Sequence, residues 1–255
     1  LALLGNKKII MHIHMGNQLA DHTHNSLFIW CLKHCNLIIL LAKTWEKKFK
    51  EWFPMITIPT TTLYNAYEPV ESISYQNRDK TILLAAHLNE NKGYSILLKA
   101  FQRIYYNFPD WKLIILGDGE VEKAQKMADE LKISDRTTFT GYITGKDKIQ
   151  YFQKASIYCM CSYQEGFPMV ILEAWGYGIP VISTPVGGLP DVIKEKKNVC
   201  IFEFGNDIML AEKLTDLITS PELRQNMSEY SISFVNKIFS IEKINDELDS
   251  IYSKL

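Results

Sequence analysis

Arginine, cysteine and long apolar runs are scarce in this chain, and each shortage excludes a class of protein. Of its 28 basic residues only four are arginine (Arg78, Arg103, Arg136 and Arg224), and 29 acidic residues bring the net charge to −1. Such a balance provides no overall field for holding nucleic acid or an anionic membrane. The longest apolar run, residues 37–42, is far shorter than the roughly 20 residues that cross a bilayer.

The five cysteines are too few and too scattered for a disulfide framework. Cys31 and Cys35 are one helical turn apart, and Cys159 and Cys161 share one face of a predicted strand. Neither pair has the cysteine or histidine partners of a zinc site. The sequence therefore predicts reduced thiols that fill core space, and no metal.

The first five residues have neither the basic region nor the long apolar region of a signal peptide. The sequence also does not begin with methionine. We therefore expect a fragment or a truncated product, located in the cytoplasm.

Short β-branched runs alternate with amphipathic stretches along nearly the whole chain. Strands are predicted at 8–14, 36–41, 55–58, 80–86, 112–116, 137–140, 156–161, 180–184 and 198–202. Helices are predicted at 18–34, 43–52, 93–107, 119–132, 145–154, 168–177, 206–219, 221–237 and 241–253. Repeated strand–helix units with short connections predict an α/β fold whose parallel sheets are covered on both faces.

One change in composition divides this pattern. The prolines and polar residues of 59–79 predict an interdomain linker. Residues 80–202 contain enough strand–helix units for a doubly wound domain, whereas the strands before the linker are too few to close a sheet. The predicted organisation is the last part of one domain at 1–68, a complete domain at 69–240 and a terminal helix at 241–255.

Glycines and polar residues follow the strands that are predicted after the linker. Ligands of open α/β sheets bind beyond the carboxyl ends of the strands. The candidate site therefore consists of the turns at 87–93, 117–119, 141–142, 162–168 and 185–188. Ordinary turns would explain any one of these segments, but the set together favours a binding site.

The most informative stretch runs from Glu165 to Glu173, with Pro168 near its start. Proline suits the first turn of a helix, where free N–H groups and the positive dipole end favour a phosphate group. The donors expected there are the N–H groups of Phe167, Met169 and Val170. The two carboxylates would flank a pyrophosphate, and each would accept hydrogen bonds from hydroxyl groups on its own side. A solvated Glu173 is the alternative, but its apolar neighbours favour a partly buried carboxylate with a partner.

Lys92 is the candidate cation for this diphosphate, although a surface lysine would look the same in the sequence. The Gly-Asp-Gly of residues 117–119 is not a dinucleotide fingerprint, because no G-x-G-x-x-G follows the strand and no acidic residue stands at the required distance. This argues against a dehydrogenase.

Residues 85–188 resemble the donor-binding domain of retaining GT-B glycosyltransferases of the group 1 class, glycosyltransferase family 4. The family's E-x7-E motif matches residues 165–173 (EGFPMVILE), and the match continues to the GGLPD of 187–191. Shorter blocks at 92–93, 117–119 and 139–141 follow in the family's order and spacing. The resemblance implies a GT-B architecture: a complete, Rossmann-like, doubly wound C-terminal domain and a partial N-terminal Rossmann-like domain.

The resemblance also implies roles for the matching residues. Glu165 would bind hydroxyls of the donor sugar, Glu173 those of the ribose, and Lys92 the diphosphate. The backbone of 167–170 would assist Lys92, and the backbone at 141–142 would lie near the base. His87 stands where the family usually has arginine; it can donate to phosphate but is charged only when protonated.

The first segment is similar to the end of the family's acceptor-side domain. Residues 11–16 (MHIHMG) resemble a strand that ends in a His-Gly element, with Met15 inserted. His14 is therefore the candidate for the histidine that reaches the donor from this side. For both His12 and His14, a purely structural role in the core is an equally good explanation. Ala66 replaces the glycine of the Asn-Gly that usually opens the linker. The terminal helix would cross back to this domain.

We therefore expect a glycosyltransferase that moves a sugar, with retention, from a nucleotide-diphosphate sugar to a glycan or lipid-linked acceptor in cell-surface polysaccharide synthesis. The residues expected to be catalytic are Glu165, Lys92 and His14. Those expected to bind the donor are His87, Gly117, Gly141, Tyr142, Gly166, Phe167, Pro168, Met169, Val170 and Glu173. No cofactor or metal is expected, because no carboxylate pair is placed to bridge Mg²⁺ and phosphate. Lys92, the helix N-terminus and His87 would stabilise the departing diphosphate.

The expected partners are a nucleotide sugar and its acceptor, not nucleic acid, and another chain that supplies the missing N-terminal half. Residues 43–51 could contact the inner face of a membrane, although a solvated helix face explains their charge better. Two alternatives stay open. One is another GT-B enzyme, a nucleotide-sugar epimerase or a sugar phosphorylase. The other is a non-catalytic or partner-dependent nucleotide-sugar-binding fragment, which the incomplete first domain and His87 favour.

Overall fold

The first sheet contains three parallel strands that lie side by side in chain order. The computed structural model describes residues 7–70 and 78–255, so the first six residues and part of the predicted linker lie outside the described residues. The strands are β1 (Ile10–Ile13), β2 (Leu37–Leu40) and β3 (Thr60–Thr62). Every residue of β2 is buried, because a central parallel strand is covered on both faces.

The second sheet contains six parallel strands in the order β6-β5-β4-β7-β8-β9. They are β4 (Thr81–Ala85), β5 (Lys112–Leu116), β6 (Thr137–Phe139), β7 (Ile157–Met160), β8 (Val181–Ser183) and β9 (Val199–Ile201). The chain winds outward from β4 to β6 and then returns to β7 on the other side of β4. This is the doubly wound order, and the α/β fold expected from the sequence is confirmed. The direction reverses between β4 and β7, which is where such sheets bind ligands.

α-Helices connect and cover these strands. In the described part of the chain they are α1 (Ser26–Lys33), α2 (Lys43–Trp52), α3 (Tyr94–Ile104), α4 (Val121–Glu130), α5 (Gly145–Lys154), α6 (Met169–Gly176), α7 (Asp207–Thr219), α8 (Pro221–Phe239) and α9 (Ile241–Tyr252). Side-chain oxygens of Asn206, Ser220 and Ser240 cap the last three. Across the described ranges, none of the helices is both long enough and apolar enough to cross a membrane.

Two predicted elements differ from the structure. The helix predicted at 18–34 is divided into a 3₁₀ turn, Asn17–His22, and α1, because the side chain of Asn25 accepts the N–H of Phe28 and starts a new helix. The strand predicted at 55–58 is wrong. The third strand is β3, which lies within the segment predicted as a linker. Its β-branched threonines pair with β2, and this pairing outweighs the turn tendency of the neighbouring proline.

Strand β4 sends alternate side chains into two apolar clusters. Ile82 and Leu84 face the cluster that includes α3, α4 and α7. Leu83 and Ala85 face a cluster that continues through Trp175 of α6 into the first sheet. Burying one aliphatic side chain stabilises a fold by about 1.5–3 kcal/mol. The cluster that contains Leu83 and Ala85 includes residues of both sheets, and its burial therefore also holds the two sheets together.

Helix α9 packs against the first sheet although it follows the second sheet in the chain. Its Ile244 forms a small apolar cluster with Leu37, Ile39 and Leu63. The backbone N–H of Tyr67 donates to the carbonyl of Phe239 at 2.6 Å, just before α9 begins. The first sheet is thus covered in part by the last helix of the chain.

The N-terminus of α2 is capped by a residue from the loop that follows β8. Its own N-cap residue, Ala42, makes no side-chain cap. Instead the carboxylate of Asp191 accepts a 2.6 Å bond from the Thr44 hydroxyl and a 3.2 Å bond from the Thr44 N–H. The Tyr64 hydroxyl donates to it at 3.4 Å, and burial, followed by the charge of Asp191, raises the pKa of Tyr64 to about 12. A charged helix cap therefore joins the loop after β8 to the first sheet.

Replacing Asp191 by alanine removes this cap, so we expect the free energy of unfolding to fall by about 1 kcal/mol. Asp191→Asn keeps an acceptor oxygen and should lose less than half as much, since asparagine caps helices as well as aspartate does. Urea denaturation followed by circular dichroism measures both variants, with Asp246→Asn on the exposed side of α9 as control. An alanine variant as stable as the parent would show that Asp191 does not cap α2 in solution.

Candidate active site

The loops that follow β4 and β7 meet at the point where the sheet reverses direction. Gly93 has a positive φ of 62°, and a Cβ at this position would stand 2.2 Å from the carbonyl oxygen of Cys161. Only glycine permits this approach. The loops are also joined by a 2.7 Å bond from the Tyr163 N–H to the Asn91 carbonyl. The Asn91 amide donates to the carbonyl of Gln164 at 3.2 Å.

This contact brings Lys92 to Glu165. The ammonium of Lys92 lies 2.6 Å from one carboxylate oxygen of Glu165, and the two side chains are 24% and 16% exposed. The Ser162 hydroxyl donates to the same oxygen at 2.6 Å. Charge-assisted hydrogen bonds of this length are the stronger kind, so the carboxylate has a defined position.

Residues of the first sheet complete the space in front of this pair. A cavity of about 230 Å³ is lined by the loops around Lys92 and Glu165 and by residues 14 and 16–18. A Cβ on Gly16 would stand 2.8 Å from the carbonyl oxygen of Glu165, so the two backbones are in direct contact. The three residues predicted as catalytic, His14 included, therefore line one cavity.

His14 is accompanied by a second histidine. The rings of His12 and His14 have their centroids 4.2 Å apart and are tilted by 51°. Partial burial and, secondarily, the neighbouring His14 lower the pKa of His12 below its usual value. The neutral form of His12 is therefore favoured beside the ring that lines the cavity.

The helix after Glu165 begins one residue later than the sequence suggested. Pro168 is the N-cap residue of α6, and Met169 is its first helical residue. The side chain of Phe167 is only 6% exposed and packs on Tyr64 with ring centroids 5.5 Å apart. Phe167 can therefore meet a ligand only through its backbone.

A second cavity, of about 260 Å³, lies at the ends of β4 and β5. Among its lining residues are His87, Gly117, Tyr142 and Val170, all predicted from the sequence. The N–H of Gly117 donates to the carbonyl of Gly141 at 2.9 Å. This bond holds the two turns together, and Tyr142 beside them is 74% exposed.

His87 is paired with an acidic neighbour. Its Nδ1 lies 2.7 Å from a carboxylate oxygen of Asp118, and both side chains are more than half exposed. The hydrogen bond from His87 lowers the pKa of Asp118. The ring therefore presents its other nitrogen, Nε2, away from this bond.

Glu173 has a cationic partner that the sequence analysis missed. The ammonium of Lys148 on α5 lies 2.8 Å from both carboxylate oxygens, and it also lines the second cavity. The prediction that Glu173 is partly buried with a partner agrees with this geometry. No motif could have identified Lys148, because it is one of several charged residues in an amphipathic helix.

Larger cavities occur elsewhere in the described residues, but the predicted site residues do not line them. One of about 730 Å³ is lined by Lys80, Trp111 and Ser156 among others. These residues lie at the amino ends of β4, β5 and β7, which is the wrong edge of the sheet for ligands in this fold. Position and chemistry therefore favour the two smaller cavities.

The cysteines take no part in either cavity. All five are free, and four are buried. Burial raises the pKa of the Cys159 thiol well above its usual value, as expected for an unreactive core thiol. Within residues 7–70 and 78–255, no three His, Cys, Asp or Glu side chains are grouped so that they could hold a metal ion.

A sequence model described as glycosyl transferases group 1 matches residues 70–234. Because this match covers more than half of the chain, the protein belongs to the group 1 glycosyl transferase family. An uncharacterized glycosyltransferase of Haemophilus influenzae is 32% identical over 219 residues, which are 85% of this chain and 61% of that protein. The Vi polysaccharide biosynthesis protein VipC/TviE of Salmonella typhi is 32% identical over 210 residues, 80% of this chain and 36% of that protein.

The chain thus spans less than two thirds of the length of either relative. Among solved structures, HepE of Anabaena in complex with UDP aligns with 100% of this chain and 74% of its own length. Its TM-score is 0.86 at 17% sequence identity. This likeness shows that the fold is of the GT-B type.

The contact at Gly93 leads to a prediction about stability. In Gly93→Ala the new Cβ would clash with a backbone oxygen, and the positive φ would also be strained. We therefore expect the free energy of unfolding to fall by about 3 kcal/mol. Gly141 is the matched control, because its φ is +69° but a Cβ there would meet nothing within 4 Å. Gly141→Ala should therefore lose only about 1 kcal/mol. Equal losses for the two variants in urea denaturation would contradict the close contact.

Proposed function

We propose that the protein is a retaining glycosyltransferase of family 4 that uses a nucleotide-diphosphate sugar. In this reaction the bond between the anomeric carbon and the diphosphate breaks, and its electron pair leaves on the diphosphate oxygen. A hydroxyl oxygen of the acceptor forms the new bond on the same face of the sugar, and the hydroxyl proton passes to the departing diphosphate oxygen. The observation that carries the proposal is the Lys92–Glu165 pair, which lines one cavity, together with a second cavity that is lined by Val170 in the first turn of α6.

The two cavities suit the two halves of such a donor. The sugar would occupy the cavity of His14 and Glu165, where a fixed carboxylate can accept bonds from its hydroxyls. The nucleoside would occupy the cavity of His87 and Tyr142, with Glu173 on the ribose hydroxyls. The diphosphate would lie between the cavities.

Three groups would stabilise the charge that develops on the departing diphosphate. Lys92 supplies a fixed cation, and the first N–H groups of α6 supply the positive end of a helix dipole. His87 donates a further bond and adds a charge when it is protonated. These groups act as an electrostatic clamp and need no covalent intermediate.

Polysaccharide synthesis is the most suitable setting for this activity. A relative that matches 80% of this chain is a Vi polysaccharide biosynthesis protein, and HepE of Anabaena has been solved with UDP. We therefore propose a uridine nucleotide as the donor carrier and a glycan or lipid-linked acceptor. The reaction would take place in the cytoplasm, at the inner face of the membrane.

A partner-dependent donor-binding unit is the second candidate. The chain spans only 61% of its Haemophilus relative, and its first sheet has three strands beside the six of the second. A further chain or segment would then supply the rest of the acceptor side. In that case this chain binds the donor alone but transfers sugar only with its partner.

Calorimetric titration with UDP and UDP-glucose tests the donor site. We expect both to bind, and Glu165→Gln to weaken UDP-glucose binding about 10-fold, the worth of one hydrogen bond to a charged group. UDP should bind Glu165→Gln at least as tightly as the parent, because UDP has no sugar for Glu165 to contact and loss of the carboxylate frees Lys92 for the diphosphate. Glu122→Gln, an exposed change on α4, is the control. Equal weakening of both ligands would contradict a sugar contact, and a chain that binds neither ligand would end the uridine-donor proposal.

Product analysis separates the enzymatic alternatives. Incubation of radiolabelled UDP-glucose with and without membrane glycolipid should give acceptor-dependent release of UDP. A released sugar epimer would instead indicate an epimerase, and phosphate-dependent release of a sugar phosphate would indicate a phosphorylase. Binding without turnover would favour the partner-dependent unit.

A further inference from the structure

The cavity in front of Glu165 has a second polar wall, which the first sheet supplies. Asn17 lines this cavity together with Gln18, and it is the first residue of the 3₁₀ turn Asn17–His22. The backbone just before it lies against the opposite wall, since a Cβ on Gly16 would stand 2.8 Å from the Glu165 carbonyl oxygen. Asn17 therefore belongs to the candidate sugar cavity and reaches it from the first-sheet side.

A lysine of α2 decides which end of the Asn17 amide is left for the cavity. The ammonium of Lys48 donates to Oδ1 of Asn17 at 3.1 Å. Because an ammonium has only donors, the oxygen of the amide must be the atom that meets it. In the part of the chain that the structure describes, the amide nitrogen makes no hydrogen bond. The two N–H donors of Asn17 are therefore available to a ligand in the cavity.

Lys48 is itself held in place by aromatic rings. Its ammonium lies 4.8 Å from the ring centroid of Trp45 and 5.7 Å from that of Trp52, distances at which a cation is attracted to the face of a ring. Trp45 is buried, and its indole N–H donates to the carbonyl of Gly166 on the opposite wall at 2.7 Å. The packing that joins the two walls thus also fixes the orientation of Asn17.

The hydroxyl groups of a sugar need both kinds of partner. Each hydroxyl has one O–H donor and two acceptor lone pairs. The carboxylate of Glu165 can only accept, and the ammonium of Lys92 is already bonded to it. The amide nitrogen of Asn17 can only donate. The two walls together therefore offer a sugar both an acceptor and a donor.

We propose that Asn17 is a specificity-determining residue, which donates its side-chain N–H to a hydroxyl oxygen of the transferred sugar, and that Lys48 is the positioning residue that orients it. This inference rests on the proposed function. Lys48 touches neither the sugar nor the nucleotide in this arrangement. Its effect on the sugar passes through the amide whose oxygen it holds.

Calorimetric titration of Asn17→Asp with UDP-glucose and with UDP tests the contact. Aspartate keeps the bond to Lys48, because an oxygen still faces the ammonium, but it replaces the N–H donors by an acceptor. We expect UDP-glucose binding to weaken about 10-fold more than UDP binding, since the sugar oxygen loses its donor. The comparison with UDP removes any effect of the added charge on the diphosphate, which both ligands share.

Variants of the lysine test its positioning role. Lys48→Met removes the cation and lets the amide rotate, so it should weaken UDP-glucose selectively, but by a smaller factor than Asn17→Asp does. Lys48→Arg keeps a donor-only cation and should restore most of the binding. Lys47→Met is the matched control, because it removes an exposed lysine from the same turn of α2 and leaves the Asn17 bond intact. It should bind both ligands as the parent does, and thermal unfolding checks that all variants are folded.

Three results would count against the inference. An Asn17→Asp protein that binds UDP-glucose as the parent does overturns the sugar contact, because a purely structural bond to Lys48 survives this change. Equal weakening of both ligands also overturns it, since that would show a general effect of charge or folding. A Lys48→Met protein that binds UDP-glucose as the parent does contradicts the positioning role of Lys48.

The outcomes also separate this inference from the proposed function. A parent protein that binds neither nucleotide contradicts the proposed donor site itself. If Glu165→Gln weakens UDP-glucose selectively and Asn17→Asp does not, the donor site stands and Asn17 is removed from the sugar. Selective weakening by both variants supports both.

Discussion

The arrangement of the candidate site depends on one contact between backbones, where Gly93 packs against the carbonyl of Cys161. The positive φ of Gly93 turns the chain into α3 and leaves no room for a side chain. Lys92 is thereby held opposite Glu165. An exposed lysine–glutamate pair contributes little by itself, because ordering two long side chains costs conformational entropy. Here the rigid backbone already holds Lys92 and Glu165 close together. Much of the entropy cost of ordering the two side chains is therefore met when the chain folds.

A second set of contacts fixes the loop of Glu165 relative to the first sheet. The carbonyl of Gly166 accepts the Trp45 indole N–H at 2.7 Å and the Gly188 N–H at 2.8 Å. Trp45 belongs to α2, the helix whose N-terminus Asp191 caps. The candidate sugar cavity is consequently formed where the two sheets meet. Its wall on the first-sheet side is held by hydrogen bonds as well as by apolar packing.

Each acidic residue of the E-x7-E motif has a lysine from another helix or turn as its partner. Glu165 is paired with Lys92 and Glu173 with Lys148. Charges within the site are therefore nearly balanced, in keeping with the near-zero net charge of the whole chain. A diphosphate beside Lys92 and the carboxylate of Glu165 would share the three N–H donors of the Lys92 ammonium. Binding of such a group thus involves exchange of hydrogen bonds within a preformed network.

The alternation of strands and helices, the parallel sheets and the turns that form the site were predictable from the sequence, because periodicity and turn residues are local signals. The E-x7-E stretch is likewise contiguous. What only the tertiary structure decided is which cation meets which carboxylate, since Lys92 and Glu165 are 73 residues apart and Lys148 and Glu173 are 25 apart. Pairing with β2 also decided strand β3, whose β-branched threonines suit a strand but follow a proline that favours a turn. Sequence determines the elements locally, whereas the partners of charged side chains depend on how those elements pack.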